Sequence, residues 1–338
     1  MASRKKLFTK VFILIFVALC SVCTMTGAAP AGGSELYLGG FPAGFMLNTT
    51  TVEVVGMCDV MTDSGLVSPA RDGGLKTGDV IKSINGKEVT SSEHVTRLLS
   101  GNLMRAEITV EREGSEIKLT ITPVKDITSG QMRVGVLVRD SLSGVGTITY
   151  INKTDNSFAS LGHPVTNSSG KITDINGGEL YSCVIYDVKR GVRGTPGELK
   201  GAFQNGKTIG SAELNCECGV YGKLDDGYDF NNLTRIEAGD IDDVTLGKAV
   251  IYSTVSSNKR ESYDISIVKV DKTNKDNRNF VIKIDDKNLL EKTGGIVQGM
   301  SGSPIVQNGK LIGAITHVFI NDPTRGFGIS IGNMLESY

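Results

Sequence analysis

The sequence predicts a mainly β protein with two domains behind an N-terminal export segment. Its 338 residues are enough for two domains, because a domain usually has about 100–200 residues. The chain has 42 glycines, 8 prolines and no tryptophan, a composition that favours many tight turns between short strands. Alternating segments such as 108–110, 117–121 and 146–150 support this fold class, since alternate side chains of a strand face opposite sides.

The charge pattern argues against nucleic acid as a partner. Lys and Arg number 36 against 37 Asp and Glu, and these charges are dispersed along the chain. Neutralising the phosphates of a nucleic acid needs a basic stripe, which the sequence lacks.

The first 28 residues have the pattern of a signal peptide or a membrane anchor. Basic residues between positions 4 and 10 precede an apolar run at 11–22 and small residues at 27–29. A stable membrane-spanning helix needs roughly 20 apolar residues, so the shorter run favours a cleaved signal and leaves an anchor as the alternative. Either form predicts export and places the chain close to a membrane.

Four cysteines follow the export segment, at Cys58, Cys183, Cys216 and Cys218. Export permits disulfides, but a single residue separates Cys216 from Cys218, so a bond from one of them to Cys183 is the favoured pairing. Free buried thiols are the alternative. No histidine lies near this pair, and the sequence indicates no metal site and no cofactor.

The first domain is predicted at residues 36–126. Apolar strands are expected at 52–58 and 79–84. Thr90, with Glu93 three residues later, has the pattern of a capping box and predicts the start of a helix.

Residues 68–89 resemble the central signature of PDZ domains, with the spacing A-x(3)-G-L-x(2)-G-D-x-I-x(2)-I-N-G. PDZ domains bind an extended peptide as an added strand at a sheet edge, and backbone amides hold its terminal carboxylate. The resemblance implies that Ala43, Gly44 and Phe45 form the carboxylate loop and strand start, and that the helix bearing His94 closes the groove. The alternatives are a solvated His94 and a Phe45 that belongs to the core.

The second domain, predicted at 132–338, contains the hexapeptide Gly-Met-Ser-Gly-Ser-Pro that begins at Gly299. A serine nucleophile needs an exposed hydroxyl on a tight turn, beside free backbone amides that hold the developing oxyanion. The sequence therefore predicts Ser301 as the nucleophile and the amides of Gly299 and Ser301 as the oxyanion hole. Ser303 is the rival nucleophile.

This hexapeptide resembles the Gly-Asp-Ser-Gly-Gly-Pro motif of trypsin-like peptidases, and in both a strand, a turn and a second strand follow. The resemblance implies a chymotrypsin-like or trypsin-like double β-barrel with the active site between the barrels. His163, from the first barrel, is then the general base. Thr316, His317 and Val318 would pair with the substrate backbone, and His317 is the rival base.

Segments 293–310 and 312–324, with the order export segment, PDZ domain and peptidase domain, resemble the stage IV sporulation protein B family of spore-forming Firmicutes. This resemblance covers nearly the whole chain. It implies a signalling serine endopeptidase exported from the forespore into the space between the two sporulation membranes. There the enzyme would cleave itself and a membrane-protein partner, which triggers intramembrane processing of a mother-cell sigma factor precursor.

The same family motif implies Asp286, fifteen residues before Ser301, as the third catalytic residue. Asp285 is the fallback, and a turn or helix-capping role for Asp286 is the alternative.

The alternative function is an exported, non-catalytic scaffold whose PDZ domain does the binding. A further hypothesis concerns the C-terminal Tyr338, since a PDZ groove could hold its ring and carboxylate within one molecule or between two.

Overall fold

Strands dominate the structure, a computed structural model that describes residues 35–100, 103–257 and 259–338 apart from the side chain of Asn205. The strands are, in chain order, β1 (Leu36–Leu38), β2 (Pro42–Met57), β3 (Val60–Thr62), β4 (Gly65–Val67), β5 (Val80–Ile84), β6 (Lys87–Glu88), β7 (Ala106–Arg112), β8 (Ser115–Ile121), β9 (Val124–Lys125), β10 (Met132–Arg133), β11 (Val136–Asn152), β12 (Ser157–Ser160), β13 (Ile175–Lys189), β14 (Glu198–Cys216), β15 (Gly219–Leu224), β16 (Arg235–Ala238), β17 (Gly247–Ser253), β18 (Glu261–Val270), β19 (Phe280–Ile284), β20 (Pro304–Gln307), β21 (Lys310–Phe319) and β22 (Asp322–Ser330). The helices are α1 (Pro69–Asp72), α2 (Ser92–Leu99), α3 (Lys287–Thr293) and α4 (Ile331–Leu335), with a 3-10 turn at Ile241–Asp243. The mainly β fold class is confirmed.

The export segment predicted at 1–28 lies outside the described residues. None of the helices in the described ranges has the length and apolar character needed to cross a membrane.

Six strands close into a first barrel. β2, β11, β12, β15, β14 and β13 pair in turn, all antiparallel, and β13 returns to β2. Alternate side chains of these strands fill the interior, as the period of two requires. The buried apolar residues of this core include Ala43, Phe45, Leu47, Ile148, Ile151, Phe158, Leu161, Leu180 and Val220.

A second closed barrel follows in sequence. β17, β18, β19, β22, β21 and β20 pair in turn, and β20 returns to β17. Its interior is filled by apolar side chains such as Ile251, Ile265, Phe280, Ile282, Ile305 and Ile315. The predicted double β-barrel is therefore present, and α4 packs with residues of both barrels in a third apolar cluster that includes Tyr221, Ala314 and Met334.

The PDZ domain is inserted into the first barrel rather than placed before it. β2 begins in the barrel and continues into a smaller sheet, and β11 runs back from that sheet into the barrel. In the smaller sheet the two strands pair with each other, and β2 also pairs with β5. β7 and β8 extend this sheet. Val52 and Val54 of β2 lie in the PDZ core, whereas Phe45 and Leu47 of the same strand lie in the barrel core.

This shared pairing corrects the boundary predicted at residue 36 and the PDZ loop predicted at Ala43, Gly44 and Phe45. These three residues lie in the barrel part of β2, opposite Gly144 and its neighbours on β11 and opposite β13. Gly44 is needed there because a Cβ would lie 2.4 Å from the ring of Phe203.

Local signals in the PDZ part are largely as the sequence indicates. α2 begins at Ser92, and its N-cap is Ser91, whose Oγ accepts a hydrogen bond from the amide of His94. The helix cap is thus one residue later than predicted, and the predicted capping box is wrong because His94, not Glu93, is three residues after the N-cap. The Thr90 hydroxyl instead lies 3.4 Å from Nδ1 of His94.

The cysteines predicted as free thiols or disulfides are all free in the structure, at Cys58, Cys183, Cys216 and Cys218. Within the described ranges, no group of three or more His, Cys, Asp or Glu side chains is placed to hold a metal ion.

Candidate active site

Ser301, His163 and His317 line one cleft of about 440 Å³. Its walls come from β11 of the first barrel, β21 of the second barrel and the loop at 296–299. The structure thus brings together residues separated by more than 130 positions, as a site between two barrels requires.

The turn that carries Ser301 depends on glycines at both sides of it. Gly299 and Gly302 have φ angles of +95° and +91°, which residues other than glycine rarely adopt. A Cβ on Gly302 would lie 2.1 Å from the carbonyl oxygen of Thr147. Thr147 also fixes the turn directly, since its amide donates to the Ser301 carbonyl at 3.1 Å and its Oγ1 donates to the Gly299 carbonyl at 2.7 Å.

Some backbone amides around Ser301 donate hydrogen bonds within the protein, and others do not. The amide of Met300 donates to the Val297 carbonyl at 3.1 Å, and that of Gly302 donates to the Ile315 carbonyl at 2.8 Å. By contrast, the amides of Gly299 and Ser301 donate to no group in the described part of the chain. These are the two amides that the sequence predicts for the oxyanion hole.

His163 is held in the tautomer that a general base needs. Its Nδ1 lies 2.9 Å from the carbonyl oxygen of Pro164, and because a carbonyl only accepts, Nδ1 carries the proton. The unprotonated Nε2 is then available to accept a proton. Burial lowers the pKa of His163, which keeps the ring neutral, and the hydrogen bond to Pro164 opposes this shift only in part.

The Ser301 hydroxyl does not point at His163 in this structure. Its Oγ donates to the carbonyl oxygen of Thr316 at 2.7 Å. Both side chains are described, and no hydrogen bond joins them. A rotation about the Ser301 Cα–Cβ bond would redirect the hydroxyl, and catalytic hydrogen bonds often form only when substrate is bound.

His317 lies beside His163, with ring centroids 4.7 Å apart. The pKa of His317 is lowered to about 4, first by its partial burial and then by the charges of His163 and Arg278. β21 pairs with β20 as far as Ala314, and Ile315 still exchanges hydrogen bonds with Gly302 and Ser303. Beyond Ile315, no described strand pairs with this edge at 316–318, where the Thr316 carbonyl accepts the Ser301 hydroxyl. This position fits the substrate-pairing role predicted for Thr316, His317 and Val318.

The structure does not bring Asp286 to His163. Asp286 is the N-cap of α3, and its Oδ1 accepts from the amide of Leu289 at 2.8 Å. It lines a separate surface groove of the second barrel with Tyr263 and Lys292. The segment between Asp286 and Ser301 forms α3 and the turn after it, and this segment separates the Asp286 carboxylate from the cleft.

The fallback carboxylate is also engaged elsewhere. Asp285 accepts from the hydroxyl of Ser266, and Lys283 lies 3.2 Å from its Oδ1. Among the described residues, no Asp or Glu lines the cleft of Ser301. The partner of the His163 Nδ1–H is therefore a backbone carbonyl, which sequence motifs do not mark.

The helix predicted to close the PDZ groove does not face the strand start predicted at Ala43, Gly44 and Phe45, which lie in the barrel. His94 is on α2, as expected, and this helix packs with Val136 and Val138 in the first part of β11. The amide and hydroxyl of Ser92 both donate to Asp140 Oδ2, at 2.8 and 2.9 Å. The short apolar run at 136–138, directly after Gly135, is the sequence signal that indicates this strand.

Comparison with protein families supports the two domains. The SpoIVB peptidase S55 family matches residues 130–335, well over half of the chain. The chain belongs to this family. A PDZ domain matches at 65–112, inside the inserted sheet. The prediction of a serine peptidase with a PDZ domain is confirmed.

Curated relatives match over short segments. A putative zinc metalloprotease of Treponema pallidum is 36% identical over 75 residues, which are 22% of this chain and 17% of that protein. The mitochondrial serine protease HTRA2 of Drosophila erecta is 39% identical over 56 residues, 17% of this chain and 13% of that protein. The match thus spans less than a fifth of the length of either relative.

Solved structures of proteases are similar at low identity. The inactive form of the Rv3671c protease has a TM-score of 0.32 and 14% identity, covering 57% of this chain and 81% of the other. The HtrA-type protease AlgW with a decapeptide has a TM-score of 0.34 and 17% identity, covering 58% of this chain and 51% of the other.

Proposed function

We propose that this serine peptidase is a sporulation signalling endopeptidase, exported from the forespore into the space between the two sporulation membranes. There it cleaves itself and a membrane-protein partner, and the second cleavage triggers intramembrane processing of a mother-cell sigma factor precursor. The sequence resemblance and the family match support this proposal, and the basic and apolar pattern of residues 1–28 supports export.

One observation carries the chemistry: Ser301 has two unused amides beside it, its own and that of Gly299, and shares a cleft with a neutral His163. In the first step Ser301 Oγ attacks the substrate carbonyl carbon, and its proton passes to His163 Nε2. The amides of Gly299 and Ser301 then hold the oxyanion. The His163 imidazolium returns the proton to the leaving amine, and water hydrolyses the acyl-enzyme by the same route.

A carbonyl in place of a carboxylate changes one part of this mechanism. In a Ser-His-Asp triad the carboxylate both fixes the histidine tautomer and stabilises the imidazolium. The Pro164 carbonyl also fixes the tautomer of His163, but it supplies only a partial negative charge. We therefore expect a slower enzyme than one with a complete triad.

Two features favour the second candidate, a non-catalytic PDZ scaffold. No carboxylate lines the cleft in the described residues, and the hydroxyl of Ser301 faces Thr316.

Self-cleavage of the purified chain separates the two functions. Intact mass is followed over time for the wild type and for Ser301→Ala and Ser303→Ala. The proposal predicts processing in the wild type and in Ser303→Ala but none in Ser301→Ala. The scaffold function predicts no Ser301-dependent processing. In sporulating cells, Ser301→Ala should also prevent maturation of the sigma factor precursor.

A further inference from the structure

The strand that faces the PDZ helix and the strand that lines the catalytic cleft are one strand, β11. Its residues 136–140 lie beside α2, and its residues 142–145 line the cleft of Ser301. β2 pairs with one edge of β11 from Val136 to Thr147, with register shifts between Leu137 and Val138 and between Arg139 and Ser141, where the sheet passes from the PDZ part to the barrel. Within the described residues, no strand covers the opposite edge before Ile148, where β12 begins to pair.

The free edge starts at the catalytic histidine. The last contact of the β12 segment with β11 is the bond from the Leu161 amide to the Thr147 carbonyl, after which the chain leaves the edge towards His163. The Thr147 amide and carbonyl both point to this edge, since the amide donates to Ser301. Because backbone groups alternate along a strand, those of Val145 and Ser143 point to the same free edge.

The direction of β11 determines which segment of a substrate can pair with its free edge. β11 runs from the PDZ domain towards Ser301, so a strand added antiparallel runs from Ser301 towards the PDZ domain. The segment on the amino side of the scissile bond has its own edge at 316–318. The leaving segment, on the carboxyl side of the scissile bond, runs away from Ser301 and can therefore pair antiparallel with the free edge of β11.

The PDZ end of this edge offers an apolar surface. Val136 and Val138 of β11 and Leu98 of α2 are half-buried and pack against the PDZ core, leaving part of each side chain to solvent. The hydrogen bonds from Ser92 to Asp140 fix the start of α2 against β11 at the end nearer the cleft.

We propose that one extended segment of the substrate, beginning just after the scissile bond, binds as a strand along β11 and reaches the PDZ groove. This inference rests on the proposed peptidase function. The occupant is an unfolded polypeptide of about ten residues, because residues 136–145 span roughly 30 Å at about 3.3 Å per residue. Its far end places apolar side chains against Val136, Val138 and Leu98. Cleavage therefore requires an unfolded stretch on the carboxyl side of the scissile bond.

Matched peptides test this proposal. The self-cleavage site of the full mature chain is mapped by mass spectrometry, and its sequence is copied into three fluorogenic peptides. The first ends three residues after the scissile bond, and the second continues for nine more residues with apolar side chains near its end. The third has the second sequence with N-methylated amides at alternate positions of the extension, which cannot form a β ladder. We expect the second peptide to have a kcat/KM at least tenfold above the other two.

Two variants on α2 provide the matched control. Leu98→Asp places a charge in the groove, and Thr96→Asp places the same charge on the exposed side of the helix. The tenfold gain should disappear in Leu98→Asp and persist in Thr96→Asp, while the short peptide is cleaved equally by all three proteins. Equal rates for the short and long peptides in the wild type overturn the inference alone. Absence of Ser301-dependent self-cleavage overturns the proposed function, and the inference with it.

Discussion

Replacing Asp286 distinguishes a helix cap from a catalytic carboxylate. The Asp286 carboxylate accepts the Leu289 amide at the start of α3 and does not line the cleft of Ser301. Loss of such a cap costs about 1 kcal/mol, which lowers the melting temperature of a domain of this size by about 2 °C. We therefore expect Asp286→Ala to be slightly less stable and to keep the kcat/KM of the wild type well below its melting temperature.

Asp286→Asn makes the test sharper. Asn caps a helix about as well as Asp, so the melting temperature should stay at the wild-type value. A catalytic carboxylate converted to an amide would instead lower kcat by about 10⁴-fold. The assay is kcat/KM on a peptide substrate beside thermal unfolding of the same preparation. A loss of a hundredfold or more in Asp286→Asn, with unchanged melting temperature, would refute the assignment of Asp286 as a cap.

Three further outcomes follow from buried groups. Burial lowers the pKa of His163, so the acid limb of the pH profile of kcat/KM should lie below pH 6.5. The unfolded chain binds this proton more readily than the folded chain, so the free energy of unfolding, measured with urea at several pH values, should fall as the pH drops below 6.5. Ser303→Ala, which removes a buried hydroxyl that donates to Ser253 at 3.0 Å, should lower the free energy of unfolding by about 1–2 kcal/mol and leave turnover per folded molecule intact. Arg112→Ala should destabilise the PDZ part by about 3 kcal/mol in denaturant titrations followed by hydrogen exchange, because it leaves the buried Asp79 carboxylate without its cation; an unchanged exchange rate around β7 would contradict this.

The nucleophile turn could be predicted because its chemistry is local. Gly299 and Gly302 both have positive φ angles, and Gly302 also leaves room for the carbonyl of Thr147, so residues within one short turn determine these requirements. The same holds for the PDZ signature, whose turns and strand lie within 68–89. In both cases short-range geometry determines the residue types.

The inserted position of the PDZ domain could not be predicted from local patterns. The run Ala43, Gly44, Phe45 has the small and aromatic residues of a PDZ loop, but a barrel strand uses the same residues to make room for Phe203. Pairing between β2 and β13 joins segments more than 100 residues apart, and no local periodicity encodes it.

The hydrogen-bond partner of His163 could not be predicted from the sequence for a different reason. Its Nδ1 partner is the carbonyl of Pro164, and every residue has a carbonyl. A motif that implies a carboxylate therefore pointed to Asp286, whose local position at the start of α3 has a structural explanation.

The most direct test of the serine peptidase mechanism is labelling with a fluorophosphonate, which reacts with serine hydroxyls activated by a base. The label is quantified by intact mass and located by peptide sequencing in the wild type, Ser301→Ala, His163→Ala and Asp286→Asn. The site geometry predicts a single adduct on Ser301 in the wild type and in Asp286→Asn at similar rates, a much slower reaction in His163→Ala, and none in Ser301→Ala. An adduct on Ser303, or labelling that survives unchanged in His163→Ala, would contradict the assignment of Ser301 and His163 as nucleophile and base.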